Sequence, residues 1–393
     1  MSEKLTLNIL DDDTQYAGLL VDVASSEGWN AVAYHDPVEF LKDDVPKNGI
    51  LVLDLIMPEM DGIEVIRTLA EQKCKLSLIL ISGFDSRVLH SAQQLAEAHN
   101  IKVHSTLTKP LSIGEFVSVL ENIEADPNFD RKIVLQEKPI SVHELEQAIR
   151  ENQFVPHYQP LIDLKTNRVH ALELLIRWQH PERGLIFPDL FIPLAEQSKL
   201  INPITNIVIR FALKQAAKLK EIGLNAPISI NISSENIESL NFPEQLSSLL
   251  DEFKVPPENI SLEITEGSVL GELTSSLDVL NRLRMKGFIL SIDDFGTGHA
   301  SLSQLYQAPF AVLKIDKSFV MRMLNDNEAM VIVKICIMLG GMLGMKVVAE
   351  GVENQETLDE LKKLGCDIAQ GYLISRPKPE DEFLSWYKNY TQV

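Results

Sequence analysis

Short apolar runs alternate with helically spaced segments along almost the whole chain, and the alternation breaks once. Before the break, LTLNIL, NAVAY, GILVLDL, LSLILIS and KVHSTLT read as strands. Between them lie stretches such as SRVLHSAQQLAEAHN, with apolar residues at helical spacing. That order predicts a parallel sheet covered on both faces, a doubly wound five-stranded α/β domain. The periodicity fades over ENIEADPNFDRKIVLQEKPI (Glu121 to Ile140), where Asp126-Pro127 and Lys138-Pro139 interrupt it. We therefore expect a first domain over 1–123, a linker over 124–140 and a second domain over 141–393. Ser141 and Glu144 have capping-box spacing and should open a new helix.

After Ser141 the alternation resumes with eight strand candidates: VPHYQPLIDL, VHALELLIR, PISINIS, ISLEIT, FILSID, AVLKID, KVVAE and IAQGYLIS. Helical segments such as TNIVIRFALKQAAKLKEIG separate most of them, which matches a (β/α)8, TIM-like barrel. Only KTNR stands between the first two strands, too short for a crossover helix. That pair should be antiparallel, which makes this a modified barrel with one antiparallel strand. The run ICIMLGGMLGM (Ile335 to Met345) is too short to span a bilayer and reads as a buried helix.

Composition narrows the function. Of 393 residues, 45% are hydrophobic and 23% charged, ordinary for a folded protein. The formal net charge of −20 argues against broad binding to nucleic acid or anionic membrane, so neither DNA nor a membrane is an expected partner. The N-terminus, MSEKLTLNILDDD, turns acidic where the apolar core of a signal peptide should continue. Cys74, Cys336 and Cys366 are scattered and form no zinc pattern, which suits a reducing cytoplasm.

The polar residues of the second domain's strands collect near their carboxyl ends: Glu173, Asn231, Glu263, Asp293 with Asp294, Lys314, Glu350 and Gln370. In a barrel those ends converge on one mouth. Any one of them could be a solvated cap, but a set drawn from successive strands points to a site. Adjacent carboxylates in a water-poor place repel, and one pKa rises unless a cation compensates. Carboxylates and an amide are hard oxygen donors that suit Mg²⁺ or Mn²⁺ and not zinc, and five acids exceed what one hydrated Mg²⁺ needs. Two ions about 4 Å apart suit in-line displacement at phosphorus.

ALELLIRWQHPERGLIFPDLFIPLAE, SINIS, LEITE, SIDDFGTG, LKIDKSFV, VVAEGVE and AQGYLISRP, occurring in this order, resemble the EAL-type cyclic di-GMP phosphodiesterases. The resemblance implies that Glu173, Asn231, Glu263, Asp293, Asp294 and Glu350 ligate two metal ions. It implies that Lys314 positions the attacking water and that Gln159, Arg177 and Gln370 face the substrate. Glu266 would anchor the loop after Asp294, in which Gly296 and Gly298 let the backbone approach closely. Proton transfer falls to Glu350 or Glu353 together with Lys314. The implied reaction is hydrolysis of one phosphodiester of cyclic di-GMP to linear pGpG. The motif here reads Glu173-Leu174-Leu175, leucine replacing the usual alanine, and His299 and Ala300 stand where tyrosine and serine are usual. No GGDEF-like segment accompanies it, so no cyclase activity is expected.

In the first domain Asp11 and Asp12 end the first strand, Asp54 the third and Ser82 the fourth, while Lys109 follows the fifth. At the carboxyl edge of a doubly wound sheet these converge near the switch point. Lys4 to Ile123 resembles a CheY-like response-regulator receiver. That implies Asp54 as phosphoacceptor, Mg²⁺ at Asp11, Asp12, Asp54 and Ile56, Ser82 and Lys109 as switch residues, and a cis Lys109-Pro110 bond. Thr106 occupies the place of the usual aromatic switch residue. A sensor histidine kinase is the implied partner, and self-association is expected because both families commonly use helical faces for it. His35-Asp36 reads as a chance dipeptide. The competing reading is a catalytically inactive EAL domain that binds cyclic di-GMP or a protein.

Overall fold

The computed structural model describes residues 6–42, 48–72, 74–83, 86–99, 101–125, 140–221, 223–224, 226–267, 273–297 and 302–390. The chain divides into two compact units, Met1–Pro139 and Ile140–Val393. Most of the expected linker lies outside the described residues.

In the first unit, strands β1 (Thr6–Leu10), β2 (Asn30–Tyr34), β3 (Asn48–Asp54), β4 (Lys75–Ser82) and β5 (Val103–Thr108) form one parallel sheet. Its order is β2-β1-β3-β4-β5. Side chains alternate along each strand and feed two cores, one built around Leu51, Leu53, Leu78 and Leu80, the other around Leu7, Ile9, Ile50 and Ile79. Asp13 caps the first helix (Thr14–Ser26), accepting from the backbone N–H groups of Gln15 and Tyr16. Asp36 starts the next helix (Pro37–Lys42) by accepting from Val38 and Glu39, so the His35-Asp36 pair has a structural use.

The second unit opens on the expected capping box. The Glu144 backbone donates to Ser141 Oγ, and the Ser141 backbone donates to Glu144 Oε2. The helix it starts, Val142–Arg150, leads into β6 (Phe154–Asp163), which pairs antiparallel with β7 (Arg168–His180). Strands β9 (Ile228–Asn231), β10 (Ile260–Thr265), β11 (Ile289–Phe295), β12 (Val312–Ile315), β13 (Lys346–Ala349) and β14 (Ile368–Ala369) follow in parallel. Antiparallel β14–β6 pairing closes an eight-stranded barrel with one reversed strand. A short strand not foreseen from the sequence, β8 (Gly184–Ile186), extends β7 as a hairpin at the edge. The last candidate strand is cut to two residues. A Cβ on Gly371 would sit 2.1 Å from the Val352 carbonyl oxygen, so the chain turns tightly against that loop there.

One expectation fails. The apolar run after Ile335 belongs to helix Asn327–Leu343, but the helix is not buried all round. Val333, Cys336 and Gly340 face the barrel, while Val331, Ile335, Met338 and Met342 are exposed at helical spacing. Among the described residues, no helix is long and apolar enough to cross a membrane.

Candidate functional site

The carboxyl ends of the barrel strands bring the expected acids around one buried cation. Lys314 is 1% exposed, and its Nζ lies 2.6 Å from Glu350 Oε1, 2.9 Å from Glu263 Oε2, 3.0 Å from Asp293 Oδ1 and 3.8 Å from Glu173 Oε2. Burial opposes its charge, yet the surrounding carboxylates outweigh that cost and hold the ammonium well above its ordinary pKa. The acids carry the remaining strain. Burial, reinforced by Glu173 and Asp293 and opposed by Lys314, pushes Glu263 up to about 8. Burial, with Asp293 and Asp316 adding to it, pushes Asp294 up to about 6. Glu350 is also raised, again chiefly by burial and against the pull of Lys314.

These are the conditions under which a divalent ion is favoured. One cationic Lys cannot neutralise five neighbouring acids, and Asp293, Asp294 and Glu350 each offer an oxygen within 4.8 Å of the others. The donors are all oxygen, so the set fits Mg²⁺ or Mn²⁺. Asp294 adopts a left-handed backbone (φ 53°), which separates its direction from that of Asp293.

Amides hold Glu173 from the side. Asn231 donates to Glu173 Oε1 at 3.3 Å. Gln370 donates to Glu173 Oε2 and to Gln159 Oε1, and Gln159 in turn donates to the Ser375 carbonyl. Gln370 Oε1 is buried without a hydrogen-bond partner. Arg177, 6% exposed, donates through one terminal nitrogen to the Ile176 carbonyl, while its buried Nε has no partner. The Phe187 ring lies 5.0 Å from its guanidinium carbon. Phe187 and Ser375 were not singled out from the sequence; the aromatic ahead of the helix Pro188–Gln197 was the available signal for the first.

Behind the acids, the Gly296 backbone donates to Glu266 Oε2 at 2.9 Å, and Gly296 takes φ 105°, a conformation open to glycine. Gly298, His299 and Ala300 lie outside the described residues. Glu353 is exposed beyond β13 and is not drawn into the Lys314 cluster. Beside Asn231 and Asp294 opens a cavity of about 440 Å³, walled by Leu174, Ile192, Asp189 and Ile201. Its size is that of a small-molecule site.

The first unit has its own acidic group. Asp11, Asp12 and Asp54 each offer an oxygen within 4.8 Å of the others, an all-oxygen set that fits Mg²⁺. Lys109 Nζ bridges Asp11 Oδ2 at 2.8 Å and Asp54 Oδ2 at 2.5 Å. Burial raises the Asp11 carboxyl, against the pull of Lys109. The Ile56 backbone donates to Asp54 Oδ1, and Ser82 is fully buried at the end of β4. The Lys109-Pro110 bond is cis. Thr106 is half-buried on β5, level with Leu80. Tyr16, unforeseen, places its ring 4.5 Å from Lys109 Nζ.

Comparison with known proteins matches residues 142–377 to the EAL domain and residues 7–121 to the response regulator receiver domain. Cyclic di-GMP phosphodiesterase RocR of Pseudomonas aeruginosa is 32% identical over 86% of this chain and 86% of its own length. Among solved structures, the PaMucR phosphodiesterase in complex with c-di-GMP is 35% identical (TM-score 0.60), covering 62% of this chain and 98% of its own. An EAL domain protein from Listeria monocytogenes is 32% identical (TM-score 0.57), covering 64% of this chain and 99% of its own.

Proposed function

This chain belongs to the EAL domain family and carries a response regulator receiver domain ahead of it, and on that premise we propose that it hydrolyses cyclic di-GMP to linear pGpG under the control of phosphorylation at Asp54. The observation that carries the reading is the buried Lys314, ringed by Glu173, Glu263, Asp293 and Glu350. We assign the receiver to 1–123 and the phosphodiesterase to 141–393.

Glu173, Asn231, Glu263, Asp293, Asp294 and Glu350 would hold two Mg²⁺ or Mn²⁺ ions. When bound, such ions polarise phosphoryl oxygens and stabilise developing charge at the attacked and leaving positions. The chain's own groups do the rest. Lys314 Nζ, fixed by its carboxylates, orients the water for in-line attack. Glu350 Oε1 is bonded to that ammonium and would take the water's proton, whereas Glu353 is exposed and outside the cluster. Arg177 has a buried, unpartnered Nε for a phosphate oxygen, and the Gln159–Gln370 pair fixes the other side of the substrate.

In the receiver, Asp11, Asp12, Asp54 and Ile56 would hold one Mg²⁺, and Lys109 faces the phosphoryl oxygens. Phosphorylation by a sensor histidine kinase adds about −1.5 to −2 charge at Asp54. That charge would compete with the bond from Lys109 to Asp11, with Ser82 and Thr106 on the responding side. The exposed stripe Val331, Ile335, Met338 and Met342 supports self-association through that helix. None of the three cysteines is disulfide-bonded, in keeping with a cytoplasmic protein.

The test is incubation of the full-length chain with cyclic di-GMP and Mg²⁺ or Mn²⁺, followed by nucleotide chromatography. The expected result is pGpG, abolished by Glu173→Ala. Tight binding with no product would replace the enzyme with a cyclic di-GMP-binding module.

A further inference from the structure

Each of three site residues has a serine two positions before it on its strand: Ser229 before Asn231, Ser261 before Glu263 and Ser291 before Asp293. With a side-chain period of two, all three point into the barrel, one layer beneath the acids. Barrel shear sets two of them level with acids of the preceding strand, Ser229 beside Glu173 and Ser291 beside Glu263, while Ser261 is level with Ser229. They are 3%, 3% and 1% exposed. The other half of the same layer is apolar, made of Leu161, Val312, Val348 and Ile368.

Serines can fill space between larger side chains, but here they do not fill it. A cavity of about 30 Å³ is lined by all three, together with His170, Glu263 and Lys314. Their hydroxyls are also under-used. Ser261 Oγ and Ser291 Oγ are 3.0 Å apart, one hydrogen bond between two groups that each carry a donor and two acceptor sites. A cavity needs roughly 10–15 Å³ and two to four polar partners to hold a water. This one has the volume for one or two, with three hydroxyls, an imidazole, a carboxylate and an ammonium on its wall.

We infer that Ser229, Ser261 and Ser291 form a hydrated floor whose buried water bonds to Glu263 and Lys314, making these serines positioning residues for the ion-binding and water-orienting groups above. The inference rests on the phosphodiesterase reading of the same site. Lys314 is held by carboxylates at its sides, and the floor restrains the Lys314–Glu263 pair from below. Apolar residues at all three positions would leave the pair free to tilt away from the mouth.

The experiment uses full-length chain carrying Asp12→Asn, so that the receiver acids do not contribute, and compares it with the same chain also carrying Ser261→Ala and Ser291→Ala. Mn²⁺ binding is followed by electron paramagnetic resonance, and folding by thermal melting. The expected result is an unchanged melting temperature with Mn²⁺ affinity weakened about tenfold, the range in which outer-shell partners of metal ligands act. With cyclic di-GMP, kcat should fall while KM holds. Ser261→Val, which fills the cavity, should do the same, and a high-resolution crystal structure of the unsubstituted chain should show water on the serines. A dry cavity, or Mn²⁺ affinity within about twofold in both folded variants, would overturn the inference. Because affinity and water are read without substrate, they stand or fall separately from the proposed activity.

Discussion

The two units each place a lysine among carboxylates, and the surroundings make them different devices. Lys109 sits at the open edge of a sheet, 23% exposed, and touches two acids. Lys314 sits inside a closed barrel, 1% exposed, and is approached by four. At an open edge solvent moderates any imbalance of charge. A closed ring can deliver a ligand from nearly every strand, but every uncompensated charge there is costly. The first arrangement suits a group that is covalently changed and restored; the second suits a fixed cage.

The largest effect that could break this comparison is removal of the lysines. Lys314→Met should lower cyclic di-GMP turnover about 10³-fold. Without added divalent ions it should also destabilise the barrel by about 3–5 kcal/mol, since buried acids lose their counter-charge. Lys109→Met should cost about 1 kcal/mol or less in the same denaturant titration, being partly solvated. Equal costs would erase the distinction.

Next is pH. Asp294 and Glu263 have folded pKa values raised to about 6 and about 8, so their protonated forms are favoured in the native state. Their contribution to stability is fully present below the unfolded carboxylate pKa and is lost as pH rises through about 6 and then about 8. Metal-free protein should therefore melt lower at pH 8 than at pH 5.5, with Mn²⁺ restoring the difference. Because protons and ions compete for the same oxygens, Mn²⁺ affinity at the barrel should weaken about tenfold or more from pH 8 to pH 6 by titration calorimetry.

Smaller still is the coupling between units. Acetyl phosphate should change turnover about fivefold or more, and Asp54→Asn should remove that response. Identical kinetics with and without donor would leave the receiver as a docking module. Least of all, Thr106→Ala should change the response less than about twofold, because the residue lacks the ring that would reorient.

How much could be read from the sequence follows from how local each determinant is. The Ser141/Glu144 cap, the KTNR hairpin and the acids at strand ends depend on neighbours in the chain and were visible there. The exposed face of helix Asn327–Leu343 was not, since an all-apolar stretch does not say which side the barrel covers. The amide chain joins Gln370 to Gln159 across 211 residues, and only closure of the barrel brings them together. The truncation of the last strand depends on the Val352 backbone, and the Phe187–Arg177 stack depends on where the β8 hairpin returns.

The reversal of β6 has a topological consequence. In an all-parallel barrel the first strand starts at the floor, but here Phe154 pairs with Trp178, one residue past Arg177, so the chain enters at the reactive rim. The entering helix is pinned there by Arg183 on Glu144 at 2.8 Å. The second unit therefore begins beside its own candidate site, where an ordinary barrel would begin at the opposite end.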